Sequence, residues 1–399
     1  MRRFWVVLYA VTALVHLPFA AGLRWALAQA SGGAGPLAEA WVARGLVVIV
    51  TTALVAALRL AVAAARSDRP RPRWRTLLVE EPYYVHWCAS VGTAISFVPI
   101  ALAVGGLRAA ASSAAESGAL ASIAAATPSM GALAMGLYAA FVVISAYGVF
   151  VRRRWVRLRT VEVSVAGLAP AFDGYTVAHL SDLHVGGFNP RERAEAWRAR
   201  VNALDVDLVA LTGDYVTSGV AFHRDIAAVL SGFRAKDGTF AVMGNHDYFG
   251  DGEPLIDLLR EGGVRVLRNQ NEWIERAGAR IGIAGVDDTW TRRADVKRAV
   301  EGRDASVPLI ALAHDPALFP ALAAEGVDVV LSGHTHWGQI GIPFLAARFN
   351  MSRLTWRYHA GTYREGASTL VISPGLGTTG PPVRLGSPPE ITIVRLRRT

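Results

Sequence analysis

The sequence predicts an α/β domain that follows a group of about four transmembrane helices. Long apolar stretches fill the chain up to about residue 151, and short apolar runs alternate with amphipathic stretches from about residue 160 onward. In addition, Asp, Asn and His motifs stand at the ends of the short apolar runs, where α/β sheets gather their ligands. Together these observations predict a membrane region followed by a site-bearing α/β domain.

The composition is that of a membrane protein. Hydrophobic residues make up 52% of the 399 residues, and the excess lies almost entirely before residue 152. The formal net charge of +9 would also suit a nucleic-acid-binding protein, but many of the arginines flank apolar stretches. We therefore expect membrane lipids, and no nucleic acid, as partners. The single Cys88 excludes an intramolecular disulfide framework.

Four apolar stretches are long enough to cross a bilayer, which takes about 20 helical residues. They are residues 4–22, 45–65, 83–107 and 130–151. The first could instead be a cleaved signal peptide, but three further spans favour a multi-pass anchor in the cell membrane. Arginines cluster before the first stretch, after the second and after the fourth. By the positive-inside rule, both the N-terminus and the C-terminal domain are predicted to be cytoplasmic.

These patterns predict three regions: a multi-pass transmembrane region (1–151), an Arg-rich junction (152–160) and a catalytic domain (161–399). The junction could also bind anionic head groups, at about 1 kcal/mol per basic residue near the surface. Strands are predicted at 176–181, 208–212, 239–243, 281–285, 309–313, 329–332, 369–373 and 391–394. Amphipathic helices are predicted at 191–204, 224–233, 254–260 and 317–324.

Five motifs follow the predicted strands in a fixed order. They are Asp182-Leu183-His184, Gly213-Asp214, Gly244-Asn245-His246-Asp247, His314 and Gly333-His334-Thr335-His336. Residues two apart in extended chain project to the same side, so each Asp-x-His or His-x-His pair could reach one metal. The glycines let the backbone approach the metals closely. A single motif of this kind occurs by chance, whereas the ordered set is specific.

The donor chemistry of these motifs indicates a metal site. They offer oxygen and nitrogen donors and no cysteine, which suits a pair of divalent ions of the Mn, Fe or Zn type. Two ions a few ångströms apart commonly serve the hydrolysis of phosphate esters, because they stabilise both the attacking and the leaving oxygen. The motifs therefore predict a metal-dependent phosphohydrolase.

The ordered motifs resemble those of the calcineurin-like metallophosphoesterase superfamily, and more closely its YkuE/YaeI-type group, over about residues 160–399. The later stretches Gly285-Val286-Asp287-Asp288, Gly375-Leu376-Gly377-Thr378 and Pro389-Glu390-Ile391-Thr392 are also similar to that group. The resemblance implies a four-layer α-β-β-α metallophosphoesterase sandwich. It also implies two divalent metal ions, with Mn²⁺ as the expected ion and Fe or Zn as alternatives.

The resemblance further implies a role for each motif residue. Asp182, His184 and His336 would ligate the first metal, Asn245, His314 and His334 the second, and Asp214 both. A hydroxide shared by the metals would attack phosphorus in line. His246 would protonate the leaving oxygen, and Asp247 would orient its ring.

Several residues outside this set have open interpretations. Trp337 stands where the group commonly has Gly, and its indole could narrow the pocket or stack on a substrate ring. The segment 341–356 mixes apolar residues with two arginines, and could be a lid that dips into the membrane interface or a buried loop. His179 is expected in the core, His223 in solvent, and His359 could contact substrate. Asp287 and Asp288 are expected beside the ligands or in a turn.

The leading hypothesis is a membrane-anchored dinuclear-metal phosphohydrolase that cleaves a phosphodiester or pyrophosphate bond, with a lipid-linked substrate as one option. One alternative is a non-catalytic metal-binding membrane scaffold or sensor. Such proteins usually lose ligands, and here the set is intact. A protein phosphatase is a second alternative, although nothing in the sequence supplies a docking groove for a phosphoprotein.

Overall fold

The computed structural model describes residues 2–30, 72–113, 118–342, 344–345 and 348–399, together with residues 47, 50, 51, 53, 54 and 58. These residues belong to two compact units. The first comprises Met1–Ala63 and Arg73–Val149, and the second comprises Ala64–Pro72 and Phe150–Thr399.

The first unit is helical. Its helices are α1 (Arg2–Ala30), α2 (Glu81–Ser113), α3 (Gly118–Ala126) and α4 (Met130–Ala146). A short helix, Arg73–Arg75, and a π-helical turn, Thr76–Glu80, lead into α2, and a π-helical turn, Tyr147–Val151, follows α4. Within the described residues, three segments are long and apolar enough to cross a bilayer: Ala10–Gln29, Arg73–Ala111 and Met130–Arg154. The predicted span 45–65 lies mostly outside the described residues. The apolar helices indicate membrane association.

Glycines allow these helices to pack closely. A Cβ at Gly22 of α1 would lie 2.8 Å from the backbone nitrogen of Met135 in α4. A Cβ at Gly131 of α4 would lie 2.2 Å from the Cβ of Trp25 in α1. Small residues at helix contacts are the usual means of association where lipid removes the hydrophobic driving force. Outward side chains such as Leu102 are largely exposed, as a lipid-facing surface requires.

The two histidines of the membrane helices pair with each other. His16 Nε2 lies 2.9 Å from His86 Nε2, and His86 Nδ1 lies 2.7 Å from the Tyr138 hydroxyl. His16 Nδ1 also contacts the Thr12 carbonyl. Both histidines thus occupy a polar contact between helices α1, α2 and α4.

The second unit contains twelve strands and five α-helices among its described residues. The strands are β1 (Arg157–Val165), β2 (Thr176–Leu180), β3 (Leu208–Thr212), β4 (Thr239–Val242), β5 (Arg265–Val266), β6 (Gln270–Arg276), β7 (Ala279–Val286), β8 (Leu309–Ala313), β9 (Val329–Ser332), β10 (Gly361–Glu365), β11 (Ser368–Ile372) and β12 (Glu390–Arg398). The helices are α5 (Arg191–Asn202), α6 (His223–Leu230), α7 (Glu253–Glu261), α8 (Val296–Ala299) and α9 (Phe319–Ala324).

The strands form two six-stranded sheets. The first has the order β1-β12-β2-β3-β4-β5, and the second has the order β10-β11-β9-β8-β7-β6. Strands β2, β3, β4 and β5 are parallel, as are β11, β9, β8 and β7. Because parallel strands end at the same edge, each sheet gathers its strand ends, and the motifs that follow them, along one side.

The second unit has four layers, and a hydrophobic cluster lies between each pair of neighbouring layers. The middle cluster lies between the sheets and includes Leu208, Phe240 and Ile310. A second cluster packs the other face of the first sheet, through Leu211, against α5, α6 and α7. A third packs the other face of the second sheet, through Ala311, against α8 and α9. The result is the expected helix-sheet-sheet-helix order.

Every predicted strand coincides with an observed strand, and the four predicted helices coincide with α5, α6, α7 and α9. Strands β1, β5, β6 and β10 were not predicted from the sequence. Strand β1 begins at Arg157, inside the predicted junction 152–160. The domain boundaries drawn from the sequence remain a prediction.

Arginines of the predicted junction bind within the fold. Arg159 Nε lies 2.8 Å from the fully buried carboxylate of Glu390, and the Arg157 guanidinium binds the same carboxylate. An uncompensated buried charge is costly, so these arginines serve the sheet edge formed by β1 and β12. They are correspondingly less free for lipid head groups.

Candidate metal centre

All the predicted site residues follow the carboxyl ends of parallel strands. Strands β2, β3 and β4 of the first sheet precede three of the motifs, and β8 and β9 of the second sheet precede the other two. The structure brings the motifs together at one edge of the sheets. The donors are Asp182, His184, Asp214, Asn245, His246, His314, His334 and His336.

Five of these donors stand on left-handed backbone. The φ angles are 53° for Asp182, 46° for His184, 56° for Asp214, 66° for His334 and 51° for His336. Residues other than glycine are uncommon in this region, since the Cβ crowds the backbone, although Asn, Asp and His adopt it more readily than other residues do. Such strain persists only where surrounding contacts fix it, and it is concentrated at functional sites.

Glycines make the close approach of the loops possible. A Cβ at Gly213 would lie 2.4 Å from the Gly244 nitrogen, and one at Gly244 would lie 2.2 Å from the Asp214 Oδ1. A Cβ at Gly333 would lie 1.8 Å from the Ser181 hydroxyl. Each distance excludes a side chain, so these loops can meet only with glycine at the three positions.

Two donor groups meet at one carboxylate. In the first group, His184 Nε2 lies 3.0 Å from His336 Nε2, and His336 Nε2 lies 3.3 Å from Asp182 Oδ1. The Asp214 Oδ2 atom lies 3.6 Å from His184 Nε2, a member of this first group.

In the second group, His334 Nδ1 lies 3.1 Å from His314 Nε2. Asp214 Oδ2 lies 3.3 Å from the same His314 nitrogen. Asp214 is therefore the residue shared by the two donor groups.

The donors fit divalent metal ions. Histidine nitrogens that face each other at 3.0 and 3.1 Å need a proton or a cation between their lone pairs. Among the described residues, the buried Asn245 Oδ1 finds no hydrogen-bond partner. A buried polar atom without a partner is costly, and metal ligation would satisfy this one.

A backbone hydrogen bond orients the His314 ring. Its Nδ1 lies 2.7 Å from the Thr212 carbonyl oxygen, to which it donates. The Nε2 atom is thereby turned toward Asp214, 3.3 Å from its Oδ2, and a backbone carbonyl is a usual partner for the other ring nitrogen of a metal-binding histidine.

The clustered donors shift one another's pKa values. Burial works to raise the pKa of Asp214, but His314 and His246 outweigh it and hold that pKa well below its usual range. Burial opposes a charge on His314, yet the Asp214 carboxylate raises its pKa to about 10. Burial lowers the pKa of His184 to about 3 and that of His334 to about 4. The carboxylates thus attract positive charge into a site where burial keeps the His184 and His334 rings neutral.

Asp247 does not orient the His246 ring, contrary to the expectation. Its two oxygens accept hydrogen bonds from the backbone N–H groups of Asp214 (2.9 Å), Tyr215 (2.7 Å), Val216 (3.1 Å) and Gly244 (2.9 Å). The carboxylate is buried within these loops, so its oxygens face the backbone. It fixes the loops that carry the ligands.

His246 is held by the Thr217 carbonyl oxygen, which lies 2.6 Å from its Nδ1. The ring lies against His184 at a centroid distance of 4.7 Å and lines the pocket. Because Nδ1 is engaged, Nε2 is the ring nitrogen left for other contacts.

A pocket of about 390 Å³ opens over the donors. Its polar lining consists of the donors Asp214, Asn245, His246, His334 and His336, together with Thr335, Gln339, Ser352 and Thr379. The described residues that line it include no lysine and no arginine. The charged and titratable groups of the pocket lining are therefore those of the donors alone.

Apart from Gly338, the remaining residues of the pocket wall are apolar. Trp356 and Trp290 flank His334 at centroid distances of 4.8 and 5.7 Å, and Phe249 lies 4.6 Å from the His246 ring. Met351 completes this side. Trp290 follows the carboxyl end of β7, so the strand-end rule that located the ligands could also have found it.

Trp337 lies in the core and not in the pocket, contrary to the expectation. It is 5% exposed, its indole N–H donates to the Ile372 carbonyl at 3.1 Å, and the Arg159 guanidinium lies 5.5 Å from its ring. Its φ of 49° is left-handed, which explains physically why glycine suits this position. Its contacts with the core fix the turn after His336.

Arg384, which the sequence reading missed, is fully buried beside this turn. Its guanidinium donates to the carbonyl oxygens of His336, at 3.3 Å, and Gly377, at 2.6 Å. It also lies 3.2 Å from His336 Nδ1. An isolated arginine far along the chain gives no sequence signal of such a contact.

The remaining candidates lie around the site. His179 is fully buried, as expected, 2.8 Å from the Thr212 hydroxyl. His223 is only 3% exposed at the start of α6, so the expectation that it is solvated was wrong. Its ring packs where the loop from β3 meets the helix. His359 contacts Tyr363 and is not among the pocket residues.

Asp287 and Asp288 follow β7 without joining the donor groups. Asp287 accepts hydrogen bonds from the Tyr248 hydroxyl at 2.7 Å and from Arg268 at 3.0 Å. Asp288 accepts one from the Thr291 N–H at 2.7 Å. They hold neighbouring loops, as expected.

Comparison with known proteins gives a family match. Residues 175–338 match the family described as calcineurin-like phosphoesterase. The chain is 35% identical over 267 residues to the bovine (Bos taurus) transmembrane protein with metallophosphoesterase domain, covering 63% of this chain and 59% of that protein. The chain thus spans about three fifths of that relative's length.

Two relatives from Bacillus subtilis (strain 168) are covered more fully. The chain is 30% identical over 232 residues to the uncharacterized metallophosphoesterase YkuE, covering 57% of this chain and 81% of that protein. It is 31% identical over 245 residues to the uncharacterized metallophosphoesterase YkoQ, covering 59% of this chain and 89% of that protein. All the donors described above lie within the matched range 175–338.

Proposed function

Because the chain belongs to the calcineurin-like metallophosphoesterase family, we propose that it is a membrane-anchored, dinuclear-metal phosphohydrolase. The observation that carries this proposal is the pair of donor groups that share Asp214 at one edge of the sheets. Two divalent ions would be held there, one by Asp182, His184 and His336, the other by Asn245, His314 and His334, with Asp214 between them. Mn²⁺ is the proposed ion.

When bound, such ions supply Lewis acidity, which lowers the pKa of a water molecule and neutralises charge on phosphoryl oxygens. The protein's own residues position the donors and transfer the proton. Asp247 fixes the loops so that the donors need little reorganisation on binding. His246 holds a proton on Nε2 and donates it to the leaving oxygen, while Thr217 keeps its ring in place.

The pocket supports a phosphodiester rather than a pyrophosphate substrate. A diester carries one negative charge at the reacting phosphate, whereas a pyrophosphate brings further charge that usually requires arginine or lysine. Among the described lining residues there is neither. Phe249, Trp290, Met351 and Trp356 offer an apolar surface to one ester substituent. We propose an amphiphilic phosphodiester, such as one linked to a lipid.

The test uses the full chain in detergent or nanodiscs. Hydrolysis of bis-p-nitrophenyl phosphate, a diester, is compared with hydrolysis of p-nitrophenyl phosphate, a monoester, after metal removal and after Mn²⁺ is restored. We expect Mn²⁺-dependent diesterase activity that Asp214→Asn abolishes. Asp257→Asn, an exposed carboxylate on α7, is the matched control and retains activity.

The alternatives give different results in the same assay. A scaffold or sensor would bind two ions yet hydrolyse none of the esters, lipid-linked diesters included. A protein phosphatase would prefer a phosphopeptide to either diester. Cleavage of soluble diesters without any cleavage of a lipid-linked diester would contradict the substrate proposal and leave the chemistry intact.

We also propose a multi-pass anchor with the catalytic unit in the cytoplasm. Arginines concentrate at the start of α1, in the segment 66–75 and in the segment 152–159, which supports this orientation. A reporter fused after Thr399 that is active only in the cytoplasm is the expected result. A reporter active only outside the cytoplasm would reverse the orientation.

A further inference from the structure

Beside the pocket, one loop exposes an unusual number of large apolar side chains. Phe344 is fully exposed, and Leu354 is 80% exposed. The exposed apolar residues of this loop, here called the apolar loop, are Ile340, Ile342, Phe344, Leu345, Phe349, Met351 and Leu354. Single exposed apolar residues are ordinary, but a contiguous group of this size marks a surface that binds something.

The described residues of the apolar loop are joined by backbone hydrogen bonds. The Ile342 N–H donates to the Phe349 carbonyl at 2.9 Å, and the Met351 N–H donates to the Ile340 carbonyl at 3.0 Å. The Asn350 side chain accepts a hydrogen bond of 3.1 Å from the Arg353 N–H. These hydrogen bonds close the loop on itself, so the apolar side chains are presented outward by its fold.

The apolar loop is continuous with the pocket wall. Met351, Ser352 and Trp356 line the pocket, whereas Phe344 and Leu354 do not. A molecule that lies on the loop therefore meets the pocket at one end of the same segment.

The charge of this segment is uniformly positive. No Asp or Glu occurs between Asp328 and Glu365, whereas four arginines do. Two of them, Arg348 and Arg353, belong to the loop, and the Arg353 guanidinium lies 5.6 Å from the Phe349 ring. Arginine beside exposed aromatic and aliphatic residues is the pattern by which proteins bind the interface of anionic membranes.

The occupant that fits both features is a bilayer. A second copy of the chain would bring the same positive charge against this one, and an acidic peptide would leave the fully exposed Phe344 without an apolar partner. The last candidate span ends at Arg154, and β1 begins at Arg157, so the chain itself keeps the second unit near a membrane.

We propose that the apolar loop inserts into an anionic phospholipid bilayer. Phe344, Leu345 and Leu354 enter the acyl region, and Arg348 and Arg353 bind phosphate groups of the lipid headgroups. The proposal concerns lipid contact and holds whether or not the pocket cleaves a lipid.

The experiment places a fluorescent label at the loop of the full chain. Cys88, the single cysteine, is replaced by alanine, and Phe344→Cys is labelled with an environment-sensitive fluorophore. The protein is reconstituted in nanodiscs of phosphatidylcholine with or without phosphatidylglycerol, containing a phospholipid that carries a quenching nitroxide on its acyl chain. Glu275→Cys, on β6 at the opposite edge of the second sheet, is the matched control.

We expect the label at residue 344 to shift its emission to the blue and to lose most of its fluorescence in discs with phosphatidylglycerol. The label at residue 275 keeps the emission of an aqueous probe. Replacing both loop arginines, Arg348→Glu with Arg353→Glu, restores the fluorescence at residue 344. Leu354→Cys gives a second reporter if Phe344→Cys lowers the melting temperature.

Three results would overturn the proposal. The labels at residues 344 and 354 could both remain aqueous and unquenched. They could be shielded without quenching and show energy transfer between copies, which would assign the loop to self-association. Quenching could be equal without phosphatidylglycerol and in the arginine variant, which would remove the role of anionic lipid.

Discussion

The carboxylate of Asp247 accepts a hydrogen bond of 2.9 Å from the backbone N–H of Asp214, the residue shared by both donor groups. The same carboxylate binds three further backbone N–H groups in the two loops. It therefore fixes the shared residue Asp214 through the backbone. The His246 ring, which we propose as the proton donor, is oriented separately, by the Thr217 carbonyl.

Asp247→Asn is expected to weaken metal binding. An amide offers one oxygen where the backbone presents four N–H groups, and its NH₂ would oppose some of them. Loss of a residue that orients ligands typically costs about 10- to 100-fold in metal affinity. The measurement is Mn²⁺ affinity of the full chain, with Asp257→Asn as control. Unchanged affinity with reduced turnover would show that Asp247 acts on the reaction directly.

His246→Gln is expected to lower turnover by about 10²- to 10⁴-fold while both metals remain bound. If His246 donates the proton, the loss is larger for a diester with an alkoxide leaving group than for bis-p-nitrophenyl phosphate, whose leaving group needs no proton. The measurement is kcat for both esters together with metal content. His359→Gln, which lies outside the pocket lining, serves as control. Equal losses for both esters would argue against proton donation.

Trp337 and Trp290 are expected to affect different properties. Trp337→Ala removes a buried side chain, at a typical cost of about 3–5 kcal/mol, and lowers the melting temperature without changing substrate preference. Trp290→Ala removes a side chain that is 59% exposed at the pocket, so it raises KM for an apolar diester at nearly constant melting temperature. Thermal unfolding and KM measurements on both variants test this. If Trp337→Ala instead changed KM and Trp290→Ala lowered the melting temperature, Trp337 would be a pocket residue.

His179 is expected to make the fold sensitive to acid. Burial, with a smaller contribution from Arg159, lowers its pKa to about 3, whereas an unfolded histidine titrates near about 6.5. Between these values only the unfolded state binds the proton, so stability is complete above pH 6.5 and falls as the pH decreases toward 3. At pH 5 the loss attributable to His179 is about 2 kcal/mol.

His179→Gln removes this proton-binding site and can keep a hydrogen bond to Thr212. Its melting temperature should therefore fall less than that of the wild type between pH 7 and pH 5. His359→Gln is again the control. An identical decrease in the wild type and in His179→Gln would show that His179 does not contribute to acid sensitivity.

The sequence predicted the core strands and the helices against them because their apolar runs are buried on both faces. Leu208–Thr212 and Leu309–Ala313 coincide with their predicted bounds. It did not predict β1, because an edge strand with arginines at alternate positions has no continuous apolar run. The short β5, which pairs only at Arg265 and Val266, was not predicted because it also has no continuous apolar run.

The sequence by itself determined which donors this protein carries and in what order, because motifs after buried strands reach the same sheet edge in any parallel α/β fold. It also determined that apolar helices precede them. Only the tertiary structure decided where each side chain points. Asp247 turned to backbone N–H groups, Trp337 entered the core, and Arg384 reached the loop of His336. These orientations depend on packing between segments distant in sequence, and no local pattern of residues records such contacts.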